Sequence, residues 1–211
     1  MVEEVLIKEI VKKVLETFQN EEKNIPVEVS ARHVHLCQEH IEILFGKQYG
    51  MTKKKDLSQP DQFQYNERVT LIGPKGIIKG VAILGPPRDK TQVEISKTDA
   101  KILGIDPPVR ESGQLKESES IYIATEKSVI QAKESVIIAK RHIHMNTEDA
   151  KRFNVEDKQI VSVRVKGQRP VIFEDVLVRV NNRFNLSMHI DLDEANALGY
   201  SNDVLGQIVY F

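Results

Sequence analysis

Tryptophan is absent from this 211-residue chain, and cysteine occurs once, at Cys37. No intramolecular disulfide can form, which fits a reducing cytosol. No apolar run approaches the length of a membrane span. A signal-peptide pattern is missing too, because Glu3, Glu4, Lys8 and Glu9 interrupt the apolar residues at the N-terminus. Neither sign of charge is in excess: 30 Lys and Arg against 31 Asp and Glu leave a net charge of -1. A nucleic-acid binder would be strongly basic, so that class is excluded. Any phosphate must be bound locally. The expected setting is cytoplasmic, with no membrane partner. The informative minority is six histidines in a chain long enough for one large domain or two small ones.

Residues 2–18 carry an amphipathic helical pattern, with Val2, Val5, Leu6, Ile10, Val11, Val14, Leu15 and Phe18 at i, i+3, i+4 spacing. Such a helix docks either on the chain's own core or on another protein. A polar linker follows to Asn24. From Ile25 the pattern is β-rich, with strands expected at 26–35, 67–73, 77–84, 91–95, 119–124, 136–144, 159–165, 170–179, 185–190 and 206–210. Short helices are expected at 38–45, 97–103, 147–153 and 192–198. Many short strands with turn signals between them point to a mainly β sandwich or barrel. Asn146 is placed to cap one helix and Asp191, with Glu194 three residues on, to form a capping box on another.

Self-similarity organises the rest. Ser30-Ala-Arg-His-Val-His-Leu36 matches Ala139-Lys-Arg-His-Ile-His-Met145 at an offset of 109, and Glu94–Gly104 matches His189–Gly199 at an offset of 95. The first half therefore holds a net extra segment, expected between Gly46 and Glu67. The expected division is an N-terminal helix and linker, 1–24, and two related β units, 25–110 and 111–211.

On a strand, residues i and i+2 share a face. His33 and His35 can thus bind one ion, and His142 and His144 another. The repeat adds a third ligand type at one equivalent place, Glu94 in the first half and His189 in the second. Three protein ligands and an open position is the arrangement of catalytic zinc. The opposing reading is that duplication preserved two structural strands whose histidines bond backbone carbonyls. Mixed imidazole and carboxylate ligands suit zinc, with cobalt, nickel and manganese as alternatives.

Gly85-Pro-Pro-Arg88 precedes the strand of Glu94, and its turn presents Arg88 beside the metal, where a planar fork suits phosphate. Gln92 shares the strand face of Glu94. Arg179 and Arg183 occupy the matching region of the second half. Lys75 and Lys79 flank a hairpin, where a distant phosphate or plain solvent would meet them. Cys37, with His40 three residues on, is a weaker nucleophile–base candidate, and a small buried hydrophobe is its default reading.

These pieces, together with Val69–Gly76, Leu84-Gly-Pro-Pro-Arg88, Gln92-Val-Glu-Ile-Ser96 and Met188–Asn196, closely resemble the PduL-type phosphate propanoyltransferases, the phosphotransacylases of bacterial propanediol metabolism. The resemblance covers essentially the whole chain. It implies a pair of β-barrel domains with short helical caps and reversible acyl transfer between coenzyme A and inorganic phosphate. It implies two zinc ions, on His33, His35 and Glu94 and on His142, His144 and His189. Arg88 falls at a phosphate-binding position, and Gln59, Gln92, Ser112 and Arg179 at active-site positions. Val27, Glu28, Val29 and Asn196 would face coenzyme A, with Lys75 as a further contact. Residues 2–18 would then be an encapsulation segment, docking on shell or core proteins of a bacterial microcompartment. Homo-oligomerisation is compatible with all of this. Two other functions fit the same ligands: a zinc-dependent acyl-CoA thioesterase, which would release coenzyme A without phosphate, and a metal-binding microcompartment module with no turnover.

Overall fold

A computed structural model describes Ile7, Glu9 and residues 23–210, so the helix expected over 2–18 lies, those two positions apart, outside the described residues. From there the order is β1 (Ile25–Val29), β2 (His33–His35), α1 (Gln38–Phe45), β3 (Lys53–Asp56), β4 (Phe63–Ile72), β5 (Ile77–Gly85), β6 (Gln92–Glu94), α2 (Lys97–Leu103) and β7 (Val109–Arg110). The second half runs β8 (Glu119–Ala124), β9 (Val129–Ala139), β10 (His142–Met145), α3 (Thr147–Phe153), β11 (Ile160–Val165), β12 (Val171–Val180), β13 (Ser187–Ile190), α4 (Leu192–Leu198) and β14 (Leu205–Val209).

The strands close into two six-membered rings. One runs β4-β5-β2-β6-β9-β8 and returns to β4. The other runs β1-β13-β10-β12-β11-β14 and returns to β1. Closure leaves no unpaired edge in either ring. Pair for pair, and with the same parallel or antiparallel sense, the second ring repeats the first. The short β3 and β7 hang on the first ring beside β4 and β9, and β3 lies in the segment where the first half was expected to carry extra chain.

Each HxH strand is preceded by a strand of the other ring. β1 leads into β2 yet completes the ring of β10 and β13, while β9 leads into β10 yet completes the ring of β2 and β6. Two expectations are corrected here. The segments 26–35 and 136–144 are not single strands, because each changes hydrogen-bonding partners where the chain crosses, at residues 30–32 and 140–141. Nor do the rings divide at 110 and 111. Period-two alternation shows which side chains face inward, not which barrel they face.

The two cores record the exchange. Val34, Leu36, Ile83, Val93 and Ile123 pack with Ile130, Ala132 and Val136 of β9. Ile143, Met145, Val163, Val178 and Met188 pack with Ile25 and Val27 of β1. The cap helices start and stop on local signals. Ser96 and Asp191 each form a capping box with the residue three positions on, and Gly104 and Gly199 end the helices at φ of 77° and 63°, where a side chain would be strained.

Ile25 is fully buried, so Ile25→Ala should cost about 2–5 kcal/mol through the cavity it leaves. Because its strand closes the far barrel, denaturant unfolding monitored by fluorescence and circular dichroism should remain one transition. Two separated transitions would contradict the interlocked reading.

Candidate metal centres and anion cavity

Strand register builds both ligand sets. Across β2 and β6, His33 lies opposite Glu94 and His35 opposite Gln92. Across β10 and β13, His142 lies opposite His189 and His144 opposite Ser187. His33, His35 and Glu94 each bring a ligand atom to within 4.8 Å of the others, and so do His142, His144 and His189. Val34 and Ile143, between the paired histidines, point into the two cores.

The donor chemistry fits a divalent metal. Nδ1 of His33 donates to the Ala31 carbonyl (2.9 Å) and Nδ1 of His142 to the Lys140 carbonyl (2.8 Å), which leaves each Nε2 lone pair free. Nδ1 of His35 and of His144 are buried without any hydrogen-bond partner, a costly state for a polar atom unless something else engages the ring. Burial, reinforced by the neighbouring histidines, holds His35 far below the usual imidazole range and pushes His142 down to about 4. It lowers His144 as well. Neutral imidazole is the form that binds metal. Burial alone would raise Glu94, but His33, Arg88 and the Ser112 hydroxyl outweigh it and keep the carboxyl below its ordinary value.

Both sets open on one cavity of about 750 Å³, lined from both barrels. Arg88 and Arg179 enter it, one from each barrel. Gly85 starts the Arg88 loop where a Cβ would come within 2.4 Å of the Phe63 ring. The loop is then fixed by Arg88 N–H donating to the Leu36 carbonyl (3.0 Å). Arg88 Nη1 donates to Ser112 Oγ (3.0 Å), and Ser112 Oγ donates to Glu94 Oε1 (3.0 Å). Gln92 Nε2 reaches both Ser112 Oγ (2.8 Å) and Glu94, while its Oε1 accepts from Gly113 N–H (2.8 Å). Gln92 is therefore a brace behind the cavity wall, and Ser112 joins the arginine to the carboxylate. Arg179 is in register with His144, and its guanidinium sits 5.9 Å from the Phe184 ring.

The remaining candidates divide. Gln59 lines the cavity with both amide N–H groups in use: Nε2 donates to the Asn185 carbonyl (2.8 Å) and Ser187 Oγ (2.9 Å), and Oε1 accepts from Asn185 N–H (3.2 Å). It clasps one barrel to the other. Glu28 and Val29 line the cavity, whereas Val27 points into the second core and its backbone is taken by Val204 and Tyr200. Asn196 is exposed on α4, away from the cavity lining. Lys75 lies in a separate depression with Lys97, Lys101 and Asp106. Cys37 caps α1 and meets Thr91, whose hydroxyl also contacts His40 Nδ1 (2.7 Å), so this trio lies outside the cavity lining.

Sequence reasoning left the shared arginine of the two Arg-His-x-His motifs unexplained. Arg32 Nε pairs with Asp99 (2.9 Å) and Arg141 Nη1 with Glu194 (2.9 Å). Each acid is the capping-box residue of the helix that follows the third-ligand strand. The signal was present: both members of each pair sit at matched places in the repeat.

A family model described as phosphate propanoyltransferase matches residues 26–201. The chain is 55% identical to a phosphate propanoyltransferase of Alkaliphilus metalliredigens, over 96% of this chain and 97% of the relative. Its identity to one from Clostridioides difficile is 50%, over 97% of each. With one from Thermotoga maritima it is 49%, over 96% of this chain and 98% of the relative. Among the described residues, no helix is long and apolar enough to cross a membrane.

Proposed function

The chain belongs to the phosphate propanoyltransferase family, and on that premise we propose that it interconverts propanoyl-coenzyme A plus phosphate with propanoyl phosphate plus coenzyme A at two zinc ions. His33, His35 and Glu94 would hold one ion; His142, His144 and His189 would hold the other. The observation that carries this reading is the opening of both ligand sets and two arginines onto a single cavity. When bound, the metals supply Lewis acidity for the thioester oxygen and the departing sulfur.

The chain's own groups do the rest. Arg88 and Arg179 bind the phosphate and align one of its oxygens with the carbonyl carbon. Guanidinium forks suit that task, because each offers paired N–H donors to two phosphate oxygens. The oxygen–carbon bond forms, the carbon–sulfur bond breaks, and coenzyme A leaves as thiolate. Phosphate is already ionised at neutral pH, so no strong base is required. Ser112 and Gln92 keep Arg88 and Glu94 in place. Transfer is direct, within a ternary complex, and the position of Cys37 outside the cavity lining agrees with that. Acetyl-coenzyme A is a second substrate in this proposal, since one methylene changes binding by only about 1–3 kcal/mol.

The test is release of coenzyme A from propanoyl-coenzyme A with and without phosphate. Release should depend on phosphate and yield propanoyl phosphate stoichiometrically. Equal release in its absence would make the protein a thioesterase, and an acyl-Cys37 species formed at the rate of turnover would rule out direct attack.

A further inference from the structure

The two metal centres differ in where their carboxylate stands. In each ring the third-ligand strand has a parallel neighbour, which is the exchanged strand. On the first ring Glu94 of β6 is in register with Ile137 of β9. On the second, His189 of β13 is in register with Glu28 of β1. Each pair holds one carboxylate, on the third-ligand strand in one centre and on the exchanged strand in the other. The sets therefore resemble each other in charge more closely than the two ligand triads suggest.

Glu28 is not a bystander to His189. Its Oε2 lies 3.2 Å from His189 Nε2, and Ser58 Oγ donates to that same oxygen from the opposite barrel. Ser187 Oγ lies equally near Nε2, but it already accepts from Gln59 Nε2. The Glu28 side chain is 38% exposed and that of His189 only 19%, so the acid reaches inward from the cavity rim. A lone surface ion pair would contribute little. A carboxylate on the outer nitrogen of a metal-binding histidine does more, because it fixes the tautomer and ring orientation and raises the basicity of the other nitrogen.

We propose that Glu28 is the positioning residue of the three-histidine centre: it accepts the Nε2–H of His189 and so leaves the Nδ1 lone pair to the metal. His33 and His142 use a backbone carbonyl on Nδ1 for the same purpose and present Nε2. The proposal rests on the two-zinc reading above and adds a residue that neither triad contains.

The experiment is a competitive chelator titration of the zinc-loaded chain, wild type against Glu28→Ala and Glu28→Gln. Wild type should release two ions. In Glu28→Ala one ion should bind about 10–100-fold more weakly while the other keeps its affinity. Glu28→Gln, which retains an acceptor oxygen but not the charge, should fall between and also covers the case of an Ala variant that folds poorly. Two ions held at wild-type affinity in both variants would overturn the assignment while leaving the two-zinc reading intact. Fewer than two ions on the wild type would sink that reading and this one with it.

Discussion

Arg88→Ala should lower kcat/KM for phosphate by about 10²–10³-fold, the usual loss when one donor to a charged transition state is removed. Arg88 has no free choice of orientation. Its backbone is fixed to Leu36 and its Nη1 to Ser112, which in turn holds Glu94. Burial lowers its pKa and so does Arg179, while Glu94 pulls the other way; against an ordinary value of 12.5 the guanidinium stays charged at neutral pH. Arg88→Lys should recover only part of the loss, because an ammonium cannot make the planar two-point contact. Initial rates across a phosphate series, with zinc measured on the same samples, separate a lost phosphate contact from a disturbed Glu94. A phosphate KM and rate within threefold of wild type at full metal content would remove Arg88 from the mechanism.

The second large effect is expected at His144. His144→Ala deletes one of three imidazoles and should reduce bound zinc from two ions per chain to one. Turnover should fall about 10³-fold or more, since a metal contributes several kcal/mol of charge stabilisation. Metal retained at two equivalents with turnover intact would contradict the role. The pH dependence has a definite sign. A histidine whose pKa is depressed on folding contributes stability that is present above the unfolded value near 6.5 and is lost as pH falls through the folded value. For His142 that folded value is about 4. Metal should accordingly stay bound at pH 6, where ordinary histidines are already largely protonated, and leave as the pH approaches 4.

The six candidate ligands were legible in the sequence for two reasons: a strand places i and i+2 on one face, and a repeat tells coincidence from pattern. The cap helices at 38–45, 97–103, 147–153 and 192–198 were legible as well, because their caps are local. Strand exchange was not. Along 26–35 nothing in the alternation marks the point where hydrogen bonds pass from β13 to β5 and β6. For the same reason the sequence does not show that Glu28, five positions before His33, lies in register with His189. Gln59 is expected at an active-site position and does line the cavity, but its clasp on Asn185 and Ser187 has no signature in the sequence. Lys75 and Asn196 carry chemistry suited to phosphate or an amide, and the three-dimensional path of the chain puts both outside the lining of the cavity that holds the ligand sets.

The crossovers have a further consequence. Three residues join β1 to β2 and two join β9 to β10, and an extended chain spans at most about 3.3–3.6 Å per residue. Both tethers run between the barrels, and both are short. The barrels therefore cannot draw far apart at the crossovers, and the distance between the two ligand sets is limited by chain length as well as by packing.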